Sequence, residues 1–265
     1  MDPPAPSNLR LADLCLAGFT VGVTAERRRH EQAELFEQAG ARVLLGPAIA
    51  ASPGEPRDHL RRWALPSNGG PARRLISAAG RARLDAVTFT SGAAVANLVD
   101  LADTIGQRND LIRALNGEVV VATIGPGTTA VARALGVARP VEADQPTLAR
   151  LAAAVGEVLG SRRQLLNVAG SDLTLQGSVV QLDGTILALS RRERAVLDVL
   201  CRQPGRVVLR AALIDEVWVD GTRPHTVDVT VARLRRKLGP TGAAIRTVAR
   251  RGYWLDTETM GPAEM

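Results

Sequence analysis

The amino-acid sequence predicts an α/β fold, in which a doubly wound parallel-sheet lobe is followed by a smaller α+β domain. Up to residue 160, short apolar runs alternate with helical segments of roughly ten residues, as in a parallel sheet with helices on both faces. After residue 160, alternating runs come first, and three helical segments and a hairpin follow. The charge balance also changes there: residues 1–160 hold 17 Lys or Arg against 16 Asp or Glu, and residues 161–265 hold 16 against 11.

The lobe is predicted to begin with a strand that is apolar throughout, as a strand covered on both faces requires. The first helix places Leu35 and Phe36 inward and ends at Gly40. The same alternation then continues along the lobe. The strands are predicted at residues 19–24, 42–45, 85–90, 119–124 and 139–142, and the helices at residues 29–39, 72–79, 93–105, near 111, 128–135 and 148–159.

Proline and glycine mark the longest irregular stretch of the chain, residues 47–71. The composition therefore predicts a Pro-rich leader at residues 1–16, the lobe at residues 17–160, a second domain at residues 161–258 and a tail at residues 259–265.

The turns that follow the predicted strands carry hydroxyls and glycines. In a parallel sheet these turns collect at the carboxyl ends of the strands, where backbone N–H groups at helix N-termini suit carboxylates or phosphates. Gly, Ser and Thr also open helices for structural reasons alone, and the sequence leaves both interpretations open. The candidate ligand-binding residues are Thr24, Thr90, Ser91, Gly125, Gly127 and Thr128.

The second domain is predicted to open with a small antiparallel sheet over residues 161–189, with a hairpin at Asp183-Gly184. Ser190 and Glu193 form a capping box that starts a helix ending near Arg202. Residues 210–218 form the next helix, whose start has Leu209 in place of a capping side chain, and a loop over residues 219–224 follows.

The last helix, residues 226–238, has one apolar side and one cationic side. Val227, Val231, Leu234 and Leu238 form an apolar stripe ~60° wide at the helical period. Gly239-Pro240 ends the helix, and a hairpin of residues 245–248 and 253–255 follows. Residues 223–251 contain eight Lys or Arg and one acid, Asp228. A cationic helix followed by an arginine-tipped hairpin fits a DNA duplex.

The residues of this segment are given two roles. The side of the helix opposite the stripe is predicted to contact base edges through His225, Thr226, Val229, Arg233 and Arg236. The DNA backbone is predicted to meet Arg192, Arg210, Arg223, Thr230, Arg235 and Lys237, with Arg250 and Arg251 placing the hairpin. The alternative from charge pattern alone is an amphipathic helix whose arginines serve only solubility.

Two segments of this region, HTVDVTVARLRRKL and IRTVARRGYWL, resemble the OmpR/PhoB-type winged-helix effector domain. The resemblance covers roughly residues 165–256. It implies a DNA-binding transcription factor with a recognition helix and a wing. The usual N-terminal partner of this domain is a receiver, but the places of its acidic pair and phosphorylated aspartate hold Thr24-Ala25 and Thr90-Ser91-Gly92. Aspartyl phosphorylation is therefore not expected.

The lobe resembles uroporphyrinogen-III synthase over roughly residues 17–160, through LAGFTVGVTAERR, DAVTFTSGAAVANL and VVVATIGPGTTAVARALGV. That family has two lobes, the second inserted into the first. Here only residues 47–71 stand at the insertion point, too few for a lobe. The family's arginine after the first strand is replaced by Ala25, and a tyrosine of its returning linker falls near Arg61. Without a facing lobe to exclude water, synthase activity is not expected.

Composition excludes several classes of protein. Cys15 and Cys201 fall in different predicted domains, which argues against a disulfide framework or metal cluster, and we expect no metal and no cofactor. The sequence has no secretory signal pattern and no apolar run of membrane-spanning length. A cytoplasmic protein without a membrane partner is expected.

These observations predict a cytoplasmic, sequence-specific DNA-binding transcription regulator with a synthase-derived sensor or interaction lobe. Its predicted partners are double-stranded DNA, a second copy of the chain on DNA, RNA polymerase through residues 219–224, and a small polycarboxylate or tetrapyrrole-related ligand. The alternatives are a bifunctional uroporphyrinogen-III synthase with a DNA-binding domain, and a protein-interaction module that docks on polymerase. The chain also resembles actinobacterial fusions linked to nitrate and nitrite assimilation, and that resemblance alone implies the link.

Overall fold

The computed structural model describes residues 15–48, 70–218 and 224–257. It divides after Arg162 into two compact units, here called unit 1 and unit 2. Most of the predicted leader and irregular stretch, together with Arg61, the loop at 219–223 and the tail, lie outside the described residues.

Unit 1 is a five-stranded, wholly parallel sheet in the order β2-β1-β3-β4-β5, with helices on both faces. This confirms the predicted doubly wound α/β class. The strands are β1 (Thr20–Val23), β2 (Arg42–Leu45), β3 (Ala86–Phe89), β4 (Val120–Thr123) and β5 (Val141–Glu142). The helices are α1 (Arg29–Gln38), α2 (Gly70–Gly80), α3 (Gly92–Thr104), α4 (Arg108–Asn116), α5 (Pro126–Ala134) and α6 (Leu148–Gly160).

A separate hydrophobic core fills each face of this sheet. Helices α1 and α6 cover one face with residues such as Phe36 and Leu151, and α2 to α5 cover the other with residues such as Leu75 and Leu98. Leu16 is 1% exposed in the first core, and its N–H donates to the carbonyl of Ala39 at 2.7 Å. The prediction that the leader extends to residue 16 is therefore wrong for Leu16, because it fills the gap beside α1.

Strands β1 and β3 are neighbours, whereas β2 lies on the other side of β1. The connections therefore leave β1 and β3 toward opposite faces, which opens a crevice at the carboxyl ends of these two strands. Thr24 directly follows β1, and Thr90 and Ser91 directly follow β3. The topology thus brings the first two of the predicted ligand-binding turns to one edge of the sheet.

Unit 2 has the predicted α+β architecture of a winged helix. An antiparallel sheet comes first, with β6 (Gln164–Val168), β7 (Ser171–Gln176), β8 (Val179–Leu182) and β9 (Thr185–Ile186). Three helices and a second sheet follow: α7 (Arg191–Arg202), β10 (Val208–Leu209), α8 (Arg210–Val217), α9 (Pro224–Lys237), β11 (Ile245–Val248) and β12 (Gly252–Leu255), with a 3₁₀ helix (Gly239–Ala244) before β11. The β11–β12 hairpin is called the wing below.

Local sequence signals place several boundaries of unit 2. Ser190 and Glu193 make the reciprocal capping box at the start of α7, as predicted. Asp183 and Gly184 both have positive φ angles, 49° and 77°, as their two-residue hairpin turn requires. Leu209 stands at the N-cap of α8 without a side-chain capping bond, also as predicted. Strand β10 was not predicted from the sequence, because a two-residue strand is too short to show an alternating pattern.

Strand β10 lies against the wing and fixes the identity of one wing residue. Val208 and Leu209 pair with Tyr253 and Gly252 of β12. A Cβ atom on Gly252 would lie 1.9 Å from the carbonyl oxygen of Val208, far inside any van der Waals contact. Only glycine fits at this position without moving β10 or the wing.

Substituting Gly252→Ala is expected to lower the free energy of unfolding by ~1–3 kcal/mol, because the added methyl group forces β10 and β12 apart. Urea denaturation followed by tryptophan fluorescence measures this loss. Gly160→Ala is the matched control, since a Cβ there meets nothing within 4 Å and the residue is helical. Equal unfolding free energies for the two variants would contradict the proposed close contact.

Candidate nucleic-acid interface

Helix α9 is seated by an aliphatic side that is removed from water. Val227, Val231 and Leu234 are 0% exposed and Leu238 is 3% exposed, which confirms the predicted stripe. They pack into the core of unit 2 with residues such as Leu197 and Leu213. Burial of each such side chain contributes ~1.5–3 kcal/mol, so the stripe fixes the rotation of the helix about its axis.

The opposite side of α9 carries the five residues predicted to contact bases. His225, Arg233 and Arg236 are exposed, and Thr226 and Val229 are half-buried. Among the described residues, neither Arg233 nor Arg236 has a side-chain partner. These five residues form one surface, here called the outer face of α9, and two free guanidinium groups project from it.

The tip of the wing carries two more cationic side chains. Arg250 and Arg251 are both exposed between β11 and β12, and Arg250 has a φ angle of 61°. Within the described part of the chain, their guanidinium groups have no partner either, and the hydrogen bonds of Arg251 are made by its backbone N–H and carbonyl alone. The wing therefore presents two positive charges that are free for an anionic partner.

Three residues predicted to contact the DNA backbone are instead used inside the fold. Thr230 is 8% exposed, and its hydroxyl donates to the carbonyl of Thr226 at 2.8 Å. Arg235 donates through Nε to the carbonyl of Ile245 at 2.9 Å and through Nη2 to Thr247 at 2.9 Å. The predictions for Thr230 and Arg235 are corrected accordingly: one is a buried helical residue, and the other joins α9 to the wing.

Arg210 is the third residue whose predicted contact with the DNA backbone is corrected. Its Nε donates to the Asp228 carboxylate at 2.9 Å, and its Nη2 donates to the hydroxyl of Tyr253 at 3.4 Å. Its Nη1 is buried without a partner among the described residues. The Nε and Nη2 atoms of Arg210 are thus hydrogen bonded within the fold and its Nη1 is buried, so Arg210 is a structural residue.

Lys237 is hydrogen bonded within the fold, although part of its side chain is exposed to solvent. Its Nζ donates to the carbonyl of Ala188 at 2.6 Å and to the Glu193 carboxylate at 2.8 Å. Glu193 is 5% exposed and also caps α7, whereas the Lys237 side chain is 40% exposed. The lysine mainly holds the end of α9 against the start of α7, a role that the charge pattern did not indicate.

Two further residues, Arg192 and Arg223, were predicted to contact the DNA backbone, and the structure describes only the first of them. Arg192 is exposed on the first turn of α7, with its guanidinium 5.8 Å from the ring centre of Trp218. The aromatic face holds this side chain without using its hydrogen-bond donors. Arg223 lies outside the described residues.

Two carboxylates of unit 2 are held in the charged form. Burial raises the pKa of Glu193, but hydrogen bonds from Lys237 and Ser190 outweigh it, and the net pKa lies below its ordinary value. Burial also raises the pKa of Asp228, but hydrogen bonds from Tyr253 and Arg210 lower it by more, so the net pKa lies below its ordinary value. Burial raises the pKa of the Cys201 thiol to about 12, which keeps the thiol protonated and unreactive.

The predicted ligand residues of unit 1 are only partly available. Thr24 is fully buried and its hydroxyl donates to the carbonyl of Thr88 at 2.7 Å, so its predicted role as a ligand donor is corrected. Ser91 caps α3 by accepting from the N–H of Ala94 at 3.2 Å. Gly125 and Thr128 are buried at the start of α5, which leaves Thr90 and Gly127 the more accessible members.

A buried polar cluster that the sequence pattern did not indicate lies near the carboxyl ends of β1 and β3. The amide nitrogen of Gln32 donates to the hydroxyl of Thr88 at 3.0 Å, and that hydroxyl donates to the carbonyl of Gly22 at 3.1 Å. The amide oxygen of Gln32 is buried with no partner among the described residues. Only a polar residue on the inward side of α1 could have signalled this cluster.

Residues 15–48, 70–218 and 224–257 contain no group of three or more His, Cys, Asp or Glu placed to hold a metal ion. No helix there has the length and apolar character needed to span a bilayer.

Two segments of the chain are similar to known families. Residues 184–255 match the family described as "Transcriptional regulatory protein, C terminal", and residues 66–153 match "Uroporphyrinogen-III synthase HemD". The chain joins a synthase-type segment to a transcriptional-regulator domain. Unit 2 thus contains the whole of the regulator match. The synthase match begins after β1 and β2, so the resemblance of those strands to the synthase family is an interpretation from their sequence.

Two curated relatives of the chain are transcriptional regulatory proteins. The transcriptional regulatory protein CutR of Streptomyces coelicolor is 41% identical over 91 residues, which are 34% of this chain and 42% of CutR. CreB of Escherichia coli is 42% identical over 76 residues, 27% of this chain and 33% of CreB. The chain thus spans less than half the length of each. The Klebsiella pneumoniae RstA DNA-binding domain, crystallised with the RstA box, is 26% identical with a TM-score of 0.32 and covers 36% of this chain and 97% of its own.

Substituting Lys237→Met in the regulator domain is expected to lower the free energy of unfolding by ~1–3 kcal/mol near neutral pH, since it removes a charged donor from a buried acceptor. Because the folded pKa of Glu193 is lowered, its ion pair stabilises the fold above the ordinary glutamate pKa of 4.5. That stabilisation disappears as the pH falls through the folded pKa, so the loss should shrink there.

Urea denaturation at about pH 7 and about pH 4 measures both quantities. Arg236→Met is the matched control, because Arg236 is exposed on the same helix without a side-chain partner within the described ranges, and its effect should stay within ~0.5 kcal/mol at both pH values. A loss for Lys237→Met that is independent of pH would show that the Glu193 carboxylate is not what Lys237 stabilises.

Proposed function

We propose that the chain is a sequence-specific DNA-binding transcription regulator whose outer face of α9 enters the major groove. The observation that carries this proposal is the pair of free guanidinium groups, Arg233 and Arg236, on a helix whose other side is fully buried. A major groove admits one α-helix and presents hydrogen-bond acceptors to it. The match of residues 184–255 to the transcriptional-regulator family and the identity of the chain to CutR over 91 residues support the proposal.

Base readout is assigned to the outer face. Arg233 is the candidate for a bidentate contact with guanine, worth ~1–3 kcal/mol of discrimination, and Arg236 lies close to it around the helix. His225 and Thr226 stand at the N-terminal end, where a recognition helix contacts base edges. Val229 lies between Thr226 and Arg233 along the helix and offers an apolar contact for a thymine methyl group.

Phosphate contacts are assigned to the exposed cations outside that face. Arg250 and Arg251 bring the wing to the DNA backbone, and Arg192 does so from the first turn of α7. Arg223 belongs to the same proposal from its place in the sequence. Each such contact adds affinity for any duplex and makes binding more sensitive to salt.

For the synthase-type segment we propose a sensor or interaction role without catalysis. Ala25 stands where the family has an arginine, and the hydroxyl of Thr24 is already hydrogen bonded to Thr88. A small polycarboxylate or tetrapyrrole-related molecule at the edge near Thr90 and Gly127 is the proposed ligand class. A second copy of the chain on DNA and RNA polymerase are the proposed protein partners.

The second candidate function is a bifunctional protein that also has uroporphyrinogen-III synthase activity, which the match of residues 66–153 favours. We expect the purified chain to convert no hydroxymethylbilane to the type III isomer beyond the uncatalysed background, because the described residues of unit 1 include no facing lobe that could enclose the intermediate. Separation of the isomers after reaction measures this. Type III product in excess of the background would establish the bifunctional alternative.

Arg233→Ala is expected to relax sequence preference at one base position, because it removes a base contact and leaves the phosphate contacts in place. Selection of bound sequences from a random duplex library measures the preference. Arg250→Ala is the matched control: it should keep the selected motif, weaken all sequences about equally and reduce the slope of log affinity against log salt by ~0.9. An unchanged motif for Arg233→Ala would refute the assignment of this arginine to a base.

A further inference from the structure

The single acid of the cationic segment, Asp228, joins three elements of unit 2. On α9 its carboxylate accepts from Nε of Arg210 at 2.9 Å and from the hydroxyl of Tyr253. Arg210 is the first residue of α8, and Tyr253 lies in β12 of the wing. These three residues, here called the Asp228 cluster, connect the recognition helix, the helix before it and the hairpin that follows it.

The Asp228 cluster also reaches the tip of the wing. The backbone N–H of Arg210 donates to the carbonyl of Arg251 at 3.1 Å, so α8 begins directly against the tip. The guanidinium of Arg210 lies 4.8 Å from the ring centre of Tyr253, and that of Arg235 lies 5.7 Å from it. Two cations, one from α8 and one from α9, thus pack on the ring of a single wing residue.

Contact with DNA does not explain this arrangement. Tyr253 is 3% exposed and every nitrogen of Arg210 is engaged or buried. An unpaired carboxylate at Asp228, whose side chain is 43% exposed, would repel the phosphates of a bound duplex. The Arg210 guanidinium neutralises that charge, and the hydrogen bond from the Tyr253 hydroxyl ties the same carboxylate to the wing.

We propose that Arg210, Asp228 and Tyr253 are positioning residues that set the wing tip at a fixed place relative to the outer face of α9. This inference rests on the proposed DNA-binding function and deepens it. In this arrangement, base contacts from α9 and backbone contacts from Arg250 and Arg251 form together. Loss of one hydrogen bond in the Asp228 cluster therefore uncouples them while both surfaces remain.

Tyr253→Phe tests the coupling, because it removes the hydroxyl and keeps the ring. Affinity for the selected duplex is measured by fluorescence anisotropy for the full chain, for Arg250→Ala, for Tyr253→Phe and for the double variant. In the unmodified chain we expect Arg250→Ala to weaken binding ~5–10-fold, because it removes one phosphate contact. In the Tyr253→Phe background we expect it to weaken binding less than ~2-fold, because the displaced tip no longer reaches the DNA backbone. Equal fold-changes in both backgrounds would overturn the proposal.

Asp256→Asn is the matched control. Asp256 follows β12 and pairs with Arg246 of β11 at 3.4 Å, and among the described residues its side chain makes no hydrogen bond or ion pair to α9. In this background Arg250→Ala should weaken binding as much as in the unmodified chain. A reduced effect there as well would also count against the proposal, because general loosening of the wing would then explain both results.

The results distinguish failure of the Asp228 cluster's positioning role from failure of the proposed DNA-binding function. Failure of the unmodified chain to bind any duplex would contradict the proposed function. Binding by the unmodified chain, together with equal effects of Arg250→Ala in the two backgrounds, would contradict only the Asp228 cluster's role. If thermal melting shows that Tyr253→Phe does not fold, the same comparison is made with Asp228→Asn, and its result decides the proposal.

Discussion

The orientation of α9 depends on burial of its aliphatic side. Val227, Val231, Leu234 and Leu238 together provide several kcal/mol that would be lost if the helix rotated. Rotation by half a turn would also bury Arg233 without a partner, at a large desolvation cost. The hydrophobic effect therefore decides which residues face outward, and the cationic outer face follows from the apolar stripe.

The charges of this segment fall into two groups with different physical roles. Arg235 and Lys237, with Arg210 from α8, are tied to carbonyls, carboxylates or a hydroxyl within unit 2, where they hold helices and wing together. Arg233, Arg236 and the two tip arginines have no such partners among the described residues. A charge count over the segment therefore overstates how many cations are free for a duplex, since part of that charge stabilises the domain.

Sequence patterns predicted the fold closely where the physics is local. Helical period, capping boxes and turn residues located α7, α9 and the hairpins, and alternation of strands with helices predicted the parallel sheet. The errors arose from pairing between distant residues. The burial of Leu16 depends on Ala39, and the role of Arg210 depends on Asp228 and Tyr253. Neither partner can be identified from spacing along the chain, because tertiary packing brings them together.

In the proposed function, the outer face of α9 and the wing tip bind double-stranded DNA. Fluorescence anisotropy of the full chain with a labelled duplex, selected from a random library, tests this binding over a range of salt concentrations. We expect a linear fall of log affinity with log salt, from release of phosphate counterions, and tighter binding than to a scrambled duplex. Absence of salt-sensitive binding to any duplex would contradict the proposed function.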